Sequence, residues 1–334
     1  MTEMKFNNYG KFISDVQDGT IKIEVSGVPA HFNDFGVGLL ATMCLDLRFL
    51  PVEVSGEAGW GKSVIAKAAA SVVGLATHQT NGTRSTTQAD ILGELYPVTK
   101  LMPDGSYHNA LDWHRQAAYI ALTEGGVFLF DEYNVVDAEI QTMMHSWLEV
   151  GHATYSIPQL GLHSQSVNEK FWPIFTGNPP GKGYAASRVG TALKDRLYTL
   201  TQEPIDQPLA DESKMLKDIL VTEKDDRSEF IDPLMNWVNE LRHDKTNTNV
   251  NTRDLAKSAV LIDRGKPPVD SIAMACSPDV YPDGYGVIID NARLHFGKDK
   301  KVIPSVEIYD GIEISKPTTT YELRVSIAKI TWDK

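Results

Sequence analysis

Residues Gly56-Glu-Ala-Gly-Trp-Gly-Lys-Ser63 set three glycines, a lysine and a hydroxyl at the spacing G-x-x-x-x-G-K-[ST]. Glycines let successive backbone N–H groups turn toward one anion, and a helix opening at Lys62 would add its positive N-terminal end. Lys62 places a point charge on the β and γ phosphates of a nucleoside triphosphate, and Ser63 offers a hydroxyl to Mg²⁺. The candidate nucleotide-binding residues are therefore Gly56, Glu57, Ala58, Gly59, Trp60, Gly61, Lys62, Ser63 and, just after the motif, Val64. Trp60 has no phosphate chemistry of its own and is expected to pack at the edge of the site.

Some seventy positions later, Gly125-Gly-Val-Phe-Leu-Phe-Asp-Glu132 reads as an apolar strand ending in two carboxylates. At the C-terminal edge of a parallel sheet these acids would stand where open α/β folds bind ligands. Asp131 is the candidate Mg²⁺ holder. Glu132 is the candidate base that takes a proton from, or orients, the attacking water. Together the two motifs specify a P-loop nucleoside triphosphatase that binds ATP with Mg²⁺ and hydrolyses it. The nine histidines show no metal-ligand spacing.

These groups need a scaffold. Apolar runs at 52–54, 126–130, 171–176 and 196–201 read as strands, with another near 76–80. Helical patterns at 63–73, 111–123 and 138–150 lie among them. Strands alternating with helices argue for a parallel sheet covered on both faces, an αβα sandwich. Alternation at Ile21, Ile23 and Val25 suggests a strand in a lead-in over 1–34, and 34–50 reads as a buried helix. The nucleotide-binding core spans 35–205. Helical segments at 213–222, 230–243, 253–264 and 270–276 suggest a small helical lid over 206–275. After 276 the chain reads as β-rich, with Asp310-Gly311 a hairpin turn pair and an alternating strand from Tyr321 to Ile327.

The bulk properties limit the partners. In 334 residues, 44 acidic side chains outnumber 32 basic ones, for a formal charge of −12. Such a chain gains no general electrostatic pull onto nucleic acid, and it shows no basic stripe with interleaved aromatics. No run approaches the ~18 apolar residues of a membrane span, and no secretory pattern opens the chain, so a cytoplasmic protein without membrane contact is expected. Cys44 and Cys276 lie in apolar stretches and read as buried, reduced thiols.

Several further segments, taken with the two motifs, resemble AAA+ ATPases in type and in order along about 35–275. Asn178, in Phe175-Thr-Gly-Asn-Pro-Pro180, is similar to the sensor-1 residue that contacts the γ phosphate or the water. Arg196, in Leu193-Lys-Asp-Arg-Leu197, is similar to the arginine finger, with Arg188 a rival or second finger. Arg253, in Asn251-Thr-Arg-Asp-Leu255, is similar to sensor 2. Within that superfamily the chain looks most like the MoxR and dynein-related branch, which includes the CbbQ-type activases. Asp131-Glu-Tyr-Asn134 resembles that branch's acidic segment. Ala89 to Glu94 leads into what would be a helix-2 β-hairpin insert at 95–109, and a presensor-1 hairpin would span 153–167. Asn81 would stand near Glu132. The resemblance implies a homo-oligomeric ring of six, with the finger acting on a neighbour's nucleotide. It further implies a protein client for remodelling or activation, of which a von Willebrand A domain protein is one kind. Two other classes stay open: a nucleic-acid motor or translocation subunit, and a slow-turnover nucleotide-gated assembly scaffold. The family does not explain the β-rich end.

Overall fold

Runs of Val, Ile, Leu and Phe buried on both sides are the strands of a parallel sheet, because only covered strands can be apolar along both faces. In the computed structural model, which describes residues 9–103, 105–179, 189–201, 208–220, 228–243, 250–278 and 280–297, five strands pair, and the central three are largely buried runs of this kind. The chain opens with α1 (Tyr9–Gln17), a small antiparallel ribbon of β1 (Glu24–Val25) and β2 (Val28–Pro29), and α2 (Asp34–Leu45). Then come β3 (Val52–Ser55), α3 (Lys62–Val72), β4 (Thr77–Asn81) and α4 (Gln88–Leu92). A long hairpin of β5 (Gly93–Leu101) and β6 (Tyr107–Arg115) leads to α5 (Ala117–Glu124) and β7 (Gly126–Asp131). After α6 (Ala138–Met143) a second hairpin, β8 (Thr154–Ile157) with β9 (Leu162–Ser166), precedes β10 (Phe171–Gly177), α7 (Thr191–Lys194) and β11 (Tyr198–Thr201).

The central sheet has the order β11-β3-β10-β7-β4, all parallel. Strand side chains alternate between faces, and the sheet accordingly divides two cores. Val52, Val54, Val127, Leu129, Trp172 and Ile174 point to one face, under α2 and α3. Phe128, Phe130, Phe171 and Phe175 point to the other, with α4, α5 and Trp147. The second face is aromatic: Phe175 meets Tyr133, Phe128 and Phe130 with ring centroids 5.2, 6.5 and 6.3 Å apart.

Contacts divide the chain into two compact units at 215/216, inside α8 (Glu212–Ile219), rather than at 205/206. The second unit holds α9 (Ser228–His243), α10 (Thr252–Asp263), α11 (Pro268–Ala275) and α12 (Tyr285–Phe296). Trp237, Leu241, Leu255, Ile262, Ile272, Ile288 and Phe296 fill its interior. Asn251 caps α10 by accepting from the Asp254 amide at 2.9 Å. The Tyr281 hydroxyl donates to Asp254 and accepts from the Asn251 amide at 2.9 and 3.1 Å.

Several expectations change. The stretch after 276 was expected to be β-rich, but it opens with the helix α12, which packs on α9 and α11. The hairpin at 306–314 and the strand at 321–327 lie outside the described residues. The helix expected over 111–123 is strand up to Arg115 and helix only from Ala117. Consequently the first hairpin runs from Gly93 to Arg115 rather than over 95–109. In the lead-in, the strand at 21–25 shrinks to Glu24–Val25, and α1 precedes it.

Candidate active site

The phosphate loop, the acidic pair and Asn178 gather where β3, β7 and β10 end. The loop after β3 turns through Gly59 and Gly61 at φ 84° and 91°, left-handed conformations that suit glycine. Gly61 is the residue before α3, and no side chain caps that helix. The positive N-terminal end of α3 is thus turned toward the loop, where an anion would sit. Lys62, 8% exposed, donates from Nζ to the carbonyls of Gly56 and Glu57 at 2.8 and 2.7 Å and to Asn178 Oδ1 at 2.9 Å. Ser63 Oγ donates to Asp131 Oδ2 at 2.7 Å. The phosphate loop, the acidic pair and Asn178 thus form one constellation.

Asp131 ends β7 with its other oxygen, Oδ1, accepting from the Thr176 hydroxyl. Thr176 is fully buried on β10, and its Oγ1 also accepts from the Glu132 amide at 3.4 Å. Glu132 is exposed and sits at φ 55°, a conformation unusual for a residue with a side chain and of the kind that collects at functional sites. Gly82 permits it: the Gly82 amide donates to the Asp131 carbonyl at 2.7 Å, and a Cβ at position 82 would stand 2.5 Å from the Glu132 carbonyl oxygen. Asn81 lies beside Asp131 in register and accepts from Gln79 at 2.7 Å. Asn134 is 5% exposed and donates from Nδ2 to the Asn178 carbonyl at 2.6 Å, fixing the segment that carries the candidate sensor.

The donor set fits the expected ligands. A hydroxyl and a carboxylate in contact at Ser63 and Asp131 are the hard oxygen donors that Mg²⁺ takes, usually alongside its own waters. Next to them an ammonium and the N-terminal end of α3 face the phosphate position. Trp60 is buried at 1% exposure, and Val64 is exposed on the first turn of α3.

The arginines are placed differently. Arg196, after α7, donates from Nε and Nη2 to Glu149 Oε1 at 2.8 and 2.6 Å and from Nη1 to the Ala192 carbonyl at 2.7 Å. It is engaged by its own chain rather than by the loop. Burial, then the Arg196 charge, holds the nearby His145 below its ordinary imidazole value. Arg253 is exposed in the first turn of α10, in the second compact unit. Arg188 lies outside the described residues. Sequence reasoning gave no role to Thr176 or Glu149. For Thr176 the signal was a hydroxyl residue in an otherwise apolar strand; Glu149 carried none.

A parallel sheet of this strand order, with a phosphate loop after its second strand in space and paired acids after its fourth, defines a P-loop nucleoside triphosphatase. More particularly, residues 51–197 match the model of the AAA domain, dynein-related subfamily, so this segment is similar to an AAA ATPase domain. No curated protein matches the sequence. Among solved structures, NtrX from Brucella abortus is 12% identical with a TM-score of 0.40, covering 89% of this chain and 57% of its own. A candidate ATPase from Cytophaga hutchinsonii is 13% identical with a TM-score of 0.40, covering 86% and 87%. NtrX in complex with ADP is 13% identical with a TM-score of 0.38, covering 86% and 54%. This chain thus spans little more than half the length of NtrX. Likeness at that level adds nothing to what the sheet order and the family match establish.

Proposed function

We propose that the chain is a MoxR-like AAA+ ATPase that works as a ring, remodelling or activating a protein client with energy from Mg²⁺-dependent ATP hydrolysis. The observation that carries this reading is the contact of Ser63 Oγ with Asp131 Oδ2 at 2.7 Å, beside Lys62 bonded to Asn178 at 2.9 Å. Four residues from three strand ends, each with the chemistry a triphosphate needs, meet at one point.

In this mechanism the amides of 59–63 and Lys62 hold the β and γ phosphates. Ser63 and Asp131 would hold Mg²⁺, which would supply charge neutralisation when bound. Glu132 accepts a proton from the attacking water, aimed by its left-handed backbone. Asn178, tied through its side chain to Lys62 and through its carbonyl to Asn134, positions the water or the γ phosphate. Arg196 from the neighbouring subunit completes the site in trans; a finger contributes on the order of 10³ to 10⁵ in rate. Arg253 acts as sensor 2, and Arg188 is the second finger candidate. The homo-oligomer is a ring of six by family resemblance. The client is a protein, with a von Willebrand A domain protein the first kind to try. The exposed apolar residues of the first hairpin, Leu101, Tyr107 and Leu111, support a role in contacting it.

The decisive test pairs two variants. Lys62→Ala should abolish ATP binding by calorimetry. Glu132→Gln should keep binding while turnover drops about 10²- to 10⁴-fold, the usual contribution of a general base. Wild-type affinity in the first, or wild-type turnover in the second, contradicts the assignment.

A further inference from the structure

A strand buried on both faces is a costly place for a carboxylate unless partners surround it, and β3 carries one. Glu53 is 2% exposed. Its neighbours Val52 and Val54 face the aliphatic core, whereas Glu53 faces the aromatic side, in register with Phe175 on β10 and Thr199 on β11. Three donors from two distant stretches of chain, one at 133 and one at 194–199, converge on it. The Tyr133 hydroxyl donates to Oε1 at 2.8 Å, and the Thr199 hydroxyl donates to Oε2 at 2.9 Å. The Lys194 ammonium contacts both oxygens. Tyr133 is the residue after Glu132, and Lys194 ends α7, two positions before Arg196. Glu53 itself belongs to the strand that leads into the phosphate loop.

We propose that Glu53 is a positioning residue for hydrolysis. Its carboxylate clamps the arm that carries Arg196 to the turn that follows the acidic pair. The aim of the finger toward a neighbour is thereby set from the subunit's own nucleotide site. This rests on reading Arg196 as the finger. Plain structural filling does not account for the choice of residue, because a buried ion pair is often replaced by apolar side chains of like volume without loss of stability. The charge instead selects one arrangement of three segments that are far apart in the chain.

The test uses the full-length protein at a concentration where turnover per subunit has levelled off, and reads kcat and KM for ATP, affinity for a nonhydrolysable ATP analogue, and thermal melting. Lys194→Met and Glu53→Gln should each lower kcat about ten-fold while KM and analogue affinity stay within about two-fold. Lys194→Arg, which keeps the charge, should recover most of the loss. Lys194→Met added to Arg196→Ala should cost little beyond Arg196→Ala alone, since both act through one group. The Lys194 side chain is 41% exposed, so its variants carry the test even where Glu53→Gln does not fold. Wild-type kcat in folded Lys194→Met overturns the proposal, and so does a double variant whose losses simply multiply. Slow turnover in Arg196→Ala with fast turnover in Lys194→Met removes the positioning role and leaves the finger. Wild-type turnover in Arg196→Ala removes both.

Discussion

At the scale of single residues, the site depends on polar groups held in fixed places by neighbours that do no chemistry. Thr176 satisfies one oxygen of Asp131 and the amide of Glu132, and Asn134 holds the carbonyl of Asn178. Donors and acceptors fixed before substrate arrives cost no reorganisation during the reaction. The two cysteines show the opposite case, groups placed to stay inert. Burial pushes the thiols of Cys44 and Cys276 up to about 12 from an ordinary 9.0. A raised value favours the neutral thiol, so at pH 8 the thiolate fraction is on the order of 10⁻⁴. We expect no labelling by a thiol-reactive chromophore at pH 8 until denaturant unfolds the chain; prompt labelling of native protein would show that neither pocket is closed. By the same sign, each thiol contributes stability that is complete below pH 9.0 and is lost as pH rises through about 12, because over that window the unfolded chain ionises first.

At the scale of elements, the ends of β4 and β7 come so close that position 82 tolerates only hydrogen. Gly82→Ala would put a methyl 2.5 Å from the Glu132 carbonyl oxygen and move Glu132, the proposed base. A displacement near 1 Å can cost about 10²-fold in rate. Turnover should therefore fall by that order in Gly82→Ala while calorimetric ATP affinity stays close to wild type, since the phosphate loop is untouched; equal loss of both would place the damage elsewhere. The same elements show what the sequence made legible. The phosphate loop and the acidic strand could be read directly because their chemistry is contiguous and the strands before them are short buried runs. The first hairpin was partly misread: β6 is mostly exposed, so no buried face imposes a clean alternation, and Leu111, Trp113 and the residues of α5 ran together as one helical pattern. Glu53 with Lys194, and Glu149 with Arg196, were not legible. Their partners stand 141 and 47 positions away, and nothing local marks them.

At the scale of the whole molecule, the Arg196 guanidinium has three bonds within its own chain. A finger so occupied serves a neighbour only if assembly draws it away from Glu149. Turnover per subunit should accordingly rise with protein concentration. An equal mixture of Arg196→Ala and Glu132→Gln chains should hydrolyse ATP faster than the sum of the two alone, because some Arg196→Ala sites would face an intact finger. A mixture that only averages its components would argue for a finger in cis, and a light-scattering mass measured in parallel would give the particle size. The parallel sheet has one more consequence. The phosphate loop, the acidic pair and Asn178 stand at the ends where strands finish, while α3 runs back to the ends where they begin and closes near the exposed Ser71. That far end of α3 is where a fluorophore or an immobilising tag can be attached, leaving the phosphate-binding edge clear for nucleotide.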